Sequence, residues 1–86
     1  MPTVVPDLAS LSRDRVVDAR GTRRPGPVLA AKRAAAQVPV GAVVEVLATD
    51  ATCLTELPSW AGKVGLEYLG SVEDADGLHL FVRRPR

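Results

Sequence analysis

Residues 13–48 read RDRVVDARGTRRPGPVLAAKRAAAQVPVGAVVEVLA, and this run decides the fold. Arg13–Ala19 is a short strand centred on Val16 and Val17. Gly21–Pro27 is too rich in Gly and Pro for either element and forms a loop that enters a helix. Pro25 suits the first helical position, where its missing N–H costs nothing. From Val28 to Val38 the apolar positions Val28, Ala31, Ala35 and Val38 recur at helical spacing, with Lys32 and Arg33 on the opposite side. Pro39 and Gly41 stop that helix. Ala42–Ala48 is β-branched and nearly continuous, the pattern of a central strand. Strand, helix and strand in this order make a right-handed βαβ crossover.

Working outward, Thr49–Thr52 is a turn with capping residues, followed by a second helix over about Cys53–Val64. Pro58 interrupts and restarts it, Leu57, Ala61 and Val64 line one face, and Gly65 closes it. Leu66–Val72 is a strand, and Asp74–Gly77 (DADG) carries an Asp-Gly hairpin signal. In Leu78–Arg84 the side chains of Leu78, Leu80 and Val82 point one way, and those of His79, Phe81 and Arg83 the other. The expected fold is an α/β (α+β) two-layer sandwich, βαβαββ, with both helices on one face of a mixed four-stranded sheet. Val28, Ala31, Ala35, Leu57, Ala61 and Val64 are expected in its core. Residues 1–12 (MPTVVPDLASLS) hold two prolines and no sustained period, so they are expected to form a flexible arm, leaving 13–86 as a single domain.

Composition narrows the class. The 86 residues leave no room for a second core, and 47% are apolar with one Trp, one Tyr and one Phe, so Ala and Val must fill thin layers. A lone cysteine, Cys53, forms no internal disulfide, which fits a reducing cytoplasm. No signal pattern and no membrane-length apolar run is evident. Net charge is +1, but residues 1–43 carry +4 and the remainder −3; such asymmetry points either to a local anion site in the first half or to a solvated surface with scattered ion pairs, and charge alone favours the latter. Both strand-to-helix loops of a right-handed βαβ unit leave the carboxyl edge of the sheet. Ligands favour that edge in open α/β sheets.

The stretch Asp18-Ala19-Arg20-Gly21-Thr22-Arg23-Arg24-Pro25-Gly26-Pro27, followed by Lys32, resembles the signature of the TusA/SirA sulfur-carrier family. That signature runs Asp-x-x-Gly-x-x-Cys-Pro-x-Pro, with a basic residue in the second turn of the helix behind it. Asp18, Gly21, Pro25, Pro27 and Lys32 match. Thr55-Glu56-Leu57-Pro58-x-Trp60 is similar to the family's second landmark, and Asp76–Arg84 (DGLHLFVRR) to its closing hairpin. The resemblance spans roughly Val16 to Arg84 and implies sulfur transfer through protein contacts with donor or acceptor proteins.

One position departs from it. Where the family carries its persulfide cysteine, at a helix N-terminus that lowers a thiol's pKa, this chain has Arg24. Arginine neither accepts nor passes on sulfur, so the expected site is degenerate, and Cys53 is the only candidate thiol. Cys53 is expected either to pack beneath helix two or to be activated by a nearby guanidinium. Two functions compete. In the first, the chain acts in sulfur relay or its regulation without the usual persulfide chemistry. In the second, a non-enzymatic module uses the Arg20–Arg24 loop for an anionic ligand, a protein partner or RNA. Low net charge and no aromatics beside the arginines make nucleic acid the weaker partner. His79 lacks a Cys or carboxylate at ligand spacing, and no metal site or cofactor is expected. Asp18 and Asp50 are assigned capping and turn roles.

Overall fold

Strands and helices follow the chain as β1 (Arg15–Asp18), α1 (Gly26–Ala35), β2 (Val43–Ala48), α2 (Cys53–Lys63), β3 (Glu67–Asp74) and β4 (Gly77–Arg83). The computed structural model describes residues 13–22 and 26–85; the expected arm at 1–12, with Arg23, Arg24 and Pro25, lies outside the described residues. The sheet order is β1-β2-β4-β3, with β1 parallel to β2 and the other neighbours antiparallel. This is the expected βαβαββ sandwich with a mixed four-stranded sheet.

One core forms on one side of that sheet. Alternate residues Val44, Val46 and Ala48 of β2 and Leu78, Leu80 and Val82 of β4 meet Val28, Ala31 and Ala34 of α1 and Cys53 and Leu57 of α2. Both helices therefore cover the same face. Alanines let them lie close: Ala31 is 0% and Ala61 1% exposed. With so few aromatics, close approach of backbones replaces bulk as the source of packing density.

Two expectations need correction. Pro58 lies inside a continuous α2 and does not restart it. It forfeits only the bond its missing N–H would give to Leu54, while Leu57 and Ala61 on either side stay fully packed. Val64 is 36% exposed, not buried. The helix ends at Lys63, the Val64 N–H bonds to the Trp60 and Ala61 carbonyls, and Gly65 turns the chain at a φ of +78°. Val64 thus leaves the helical face before its side chain can reach the core. Helix α1 also ends at Ala35, short of Val38, which is buried all the same.

Gly77 opens β4 at a φ of +123°, and a Cβ there would stand 2.8 Å from the Ala48 carbonyl oxygen. Both backbone angle and space demand glycine. Gly77→Ala is expected to lower stability by about 1–3 kcal/mol, seen as a shifted urea midpoint with an unchanged slope.

Candidate functional site at the carboxyl edge

The edge where β1 and β2 end is assembled by short local bonds. Asp18 closes β1: its Oδ1 accepts from the Arg20 N–H at 3.0 Å and from Arg20 Nε at 2.9 Å, and its Oδ2 from Arg20 Nη2 at 2.9 Å. This is an aspartate turn in which the side chain replaces a backbone partner. The Arg20 guanidinium, hydrogen bonded first and charged second, holds the Asp18 carboxyl down at about 2. Arg20 is thereby committed to Asp18.

Gly21 follows at a φ of +78°, and its N–H donates to Thr49 Oγ1 at 2.9 Å. That bond ties the loop after β1 to the loop after β2, the juxtaposition expected of a βαβ unit. Thr22 Oγ1 donates to the Ala19 carbonyl at 2.6 Å. A Cβ on Gly26 would lie 2.6 Å from that hydroxyl oxygen, so the first residue of α1 approaches Thr22 as only glycine can. Pro27, next in α1, is buried. No acidic residue occupies the first turn of this helix, so its N-terminal N–H groups and positive dipole end carry no carboxylate of their own.

The remaining expected residues spread apart. Lys32 sits in the second turn of α1 with Nζ 6.0 Å from the centre of the Trp60 ring. It lines a cleft of about 270 Å³ with Val64, Leu66 and Arg84, whose own guanidinium donates to the Val38 carbonyl. The motif's basic residue thus faces α2. Asp50 serves as a turn residue, its Oδ1 accepting from the Thr52 N–H and hydroxyl.

Cys53, the first residue of α2, is 1% exposed within the core cluster. Burial, then the charge of Asp50, pushes its thiol above the ordinary value. Both act against a thiolate.

Sequence reasoning missed a second group of charges, on the face of the sheet opposite the helices. Glu45 is 2% exposed in the middle of β2. Arg13 Nη1 lies 2.7 Å from its Oε1, and His79 Nδ1 lies 2.6 Å from its Oε2. His79 Nε2 lies 2.8 Å from Asp74 Oδ2. The fold brings His79 two carboxylates from distant parts of the chain, one of them 34 residues away. A signal existed in the strand pattern, since a lone acid in Ala42–Ala48 and a lone histidine in Leu78–Arg84 both fall on the outward parity. Among the described residues no group of His, Cys, Asp and Glu is arranged to hold a metal ion, and no helix is long and apolar enough to cross a membrane.

Comparison with known proteins agrees with this architecture. The family model of the sulfurtransferase TusA matches residues 15–84. An Archaeoglobus fulgidus protein named as a candidate sulfur carrier is 38% identical over 69 residues, covering 80% of this chain and 94% of that one. The sulfur carrier protein TusA of Allochromatium vinosum is 30% identical over 71 residues, covering 83% and 93%. The crystal structure of the SirA-like protein of Desulfitobacterium hafniense superposes with a TM-score of 0.70 at 27% identity, covering 84% of this chain and 99% of that one. With the fold, the motif loop and these relatives in agreement, the chain belongs to the TusA family of sulfur carriers.

Proposed function

We propose that this protein is a cytoplasmic member of the sulfur-relay machinery that engages donor or acceptor proteins without itself loading sulfur at the family position. The observation that carries this reading is the state of its one thiol. Position 24 holds arginine, and Cys53 is sealed in the core with its thiol pushed up by burial. A persulfide forms when a thiolate attacks an electrophilic sulfur, and a thiol that is buried and protonated does so slowly. The carrier scaffold is present while its nucleophile is absent, which suits a regulatory or competing role at the same protein contacts.

The alternative, an anion-gripping Arg20–Arg24 loop, has weaker support because Arg20 is spent on Asp18 through a two-pronged pair. It would fall to Arg23, Arg24 and the helix N-terminus alone. Intact mass after incubation with a cysteine desulfurase and cysteine tests the proposal. No added sulfur is expected. A gain of one sulfur that disappears in Cys53→Ser would overturn it and make Cys53 a relocated carrier.

A further inference from the structure

Four of the charges on the helix-free face form one row, one from each part of the sheet. In the order β1-β2-β4-β3 they are Arg13 just before β1, Glu45 on β2, His79 on β4 and Asp74 at the end of β3. Their signs alternate across the sheet. Arg13, Glu45, Asp74 and His79 also share one shallow cleft of about 160 Å³ with Val72 and Phe81. The Arg13 guanidinium carbon lies 6.0 Å from the centre of the Phe81 ring, so this cation spans the buried aromatic as well as Glu45.

Both ring nitrogens of His79 face carboxylate oxygens, and an ionised carboxylate only accepts hydrogen bonds. A neutral imidazole has one N–H and can satisfy one of them. The imidazolium has two and satisfies both. Nδ1 is hydrogen bonded to Glu45, whereas Nε2 lies 2.8 Å from Asp74 Oδ2 without the alignment of a hydrogen bond. What the arrangement can do is sense its own proton.

We propose that His79 is a pH latch: as an imidazolium it clasps Glu45 and Asp74 together, and its deprotonation loosens the Asp74–Gly77 turn and the Gly21 loop behind it. The hydrogen bond to Glu45, then that to Asp74, outweighs burial and raises the pKa of His79, while the His79 bond lowers that of Asp74. A group whose folded pKa is raised contributes stability that is complete below its unfolded pKa, about 6.5, and is lost as pH rises through the folded value. The latch therefore opens on the alkaline side.

Which end lets go is set by exposure. The Glu45 side chain is 3% exposed and that of Asp74 48%. The remaining N–H stays with the buried carboxylate, which has no water to replace it, and Asp74 is released to solvent. Asp74 Oδ1 also accepts the Asp76 N–H at 2.8 Å, so the same side chain shapes the turn. The turn's last residue, Gly77, lies beside the end of β2: a Cβ there would stand 2.8 Å from the Ala48 carbonyl oxygen and 3.6 Å from Thr49 Cγ2. Thr49 Oγ1 in turn accepts from the Gly21 N–H. The latch concerns the motif loop itself and does not depend on which partner that loop meets.

Heteronuclear NMR between pH about 5 and about 10 tests it. His79 is the chain's one histidine, so its ring signals are unambiguous. The expected result is a ring midpoint above 6.5, with the Gly77 and Gly21 amide shifts following the same midpoint. In His79→Gln the Gly21 amide should be flat over this range. In Asp74→Asn the ring midpoint should fall and the Gly21 response should vanish, which keeps the test sound if the glutamine variant folds poorly. A Gly21 amide that stays flat while His79 titrates overturns the latch. So does a midpoint at or below 6.5, or a Gly21 response that survives Asp74→Asn.

Discussion

His79→Ala is expected to destabilise the domain by about 3 kcal/mol at neutral pH, whereas Glu45→Leu should cost little, and the double variant should recover most of the loss. The asymmetry follows from who is buried. Glu45 is 2% exposed, and its carboxylate is bracketed by Arg13 on one oxygen and His79 on the other. Removing His79 leaves a buried carboxylate half-partnered, and breaking a buried pair in this way costs about 3–5 kcal/mol. Arg13 still faces Oε1, which places the loss at the low end. Replacing the carboxylate itself by an apolar group of similar size removes the need for any partner. Arg13 and His79, with side chains 40% and 20% exposed, can then reach water. For a domain this small, 3 kcal/mol corresponds to a drop in Tm of roughly 12–24 °C. Thermal melts of the parent, both single variants and the double variant measure the coupling directly. Strictly additive losses would show that Glu45 and His79 lie side by side without energetic coupling.

Arg24→Cys is expected to create a thiol that is alkylated at least about tenfold faster at neutral pH than Cys53 in the parent. Position 24 lies two residues before Gly26, where α1 begins, and that helix carries no acid in its first turn. A cysteine there inherits the positive end of the helix, with Arg23 beside it in the sequence. Such positions bring a thiol from about 8.5 into the range of roughly 3.5–7.5, which turns a few per cent of thiolate at neutral pH into a large fraction. Arg20 contributes less than sequence proximity implies, because Asp18 neutralises it. Rates against pH for Arg24→Cys with Cys53→Ser isolate the new thiol. An apparent pKa at or above that of a free thiol would show that this loop does not supply the electrostatics that activate a cysteine.

The layers of this fold are legible because they rest on period and composition. Val44, Val46 and Ala48 alternate, Leu78, Leu80 and Val82 alternate, and the alanines of α1 recur at helical spacing, so the core follows from local pattern. Asp18 and Asp50 are equally local: each bonds a backbone N–H two residues on. The His79 cluster is different in kind. Period two places Glu45 and His79 on one face, but their meeting depends on the register between β2 and β4, where Glu45 pairs with Phe81 and Leu47 with His79. Nothing within a strand specifies that register. Val64 and Pro58 were misread for a related reason. Where α2 ends, and whether it tolerates a proline, is decided by the tertiary packing of Leu57 and Ala61 and not by the local signal.

The central claim is that this carrier-family scaffold presents no reactive thiol, and the pH dependence of Cys53 alkylation in the folded parent measures that claim most directly. With Cys53 1% exposed and its thiol pushed up by burial and by Asp50, the account predicts slow alkylation that rises only above the ordinary thiol range and accelerates on unfolding in urea. Fast alkylation at neutral pH, with an apparent pKa below about 8 in the folded state, would contradict it.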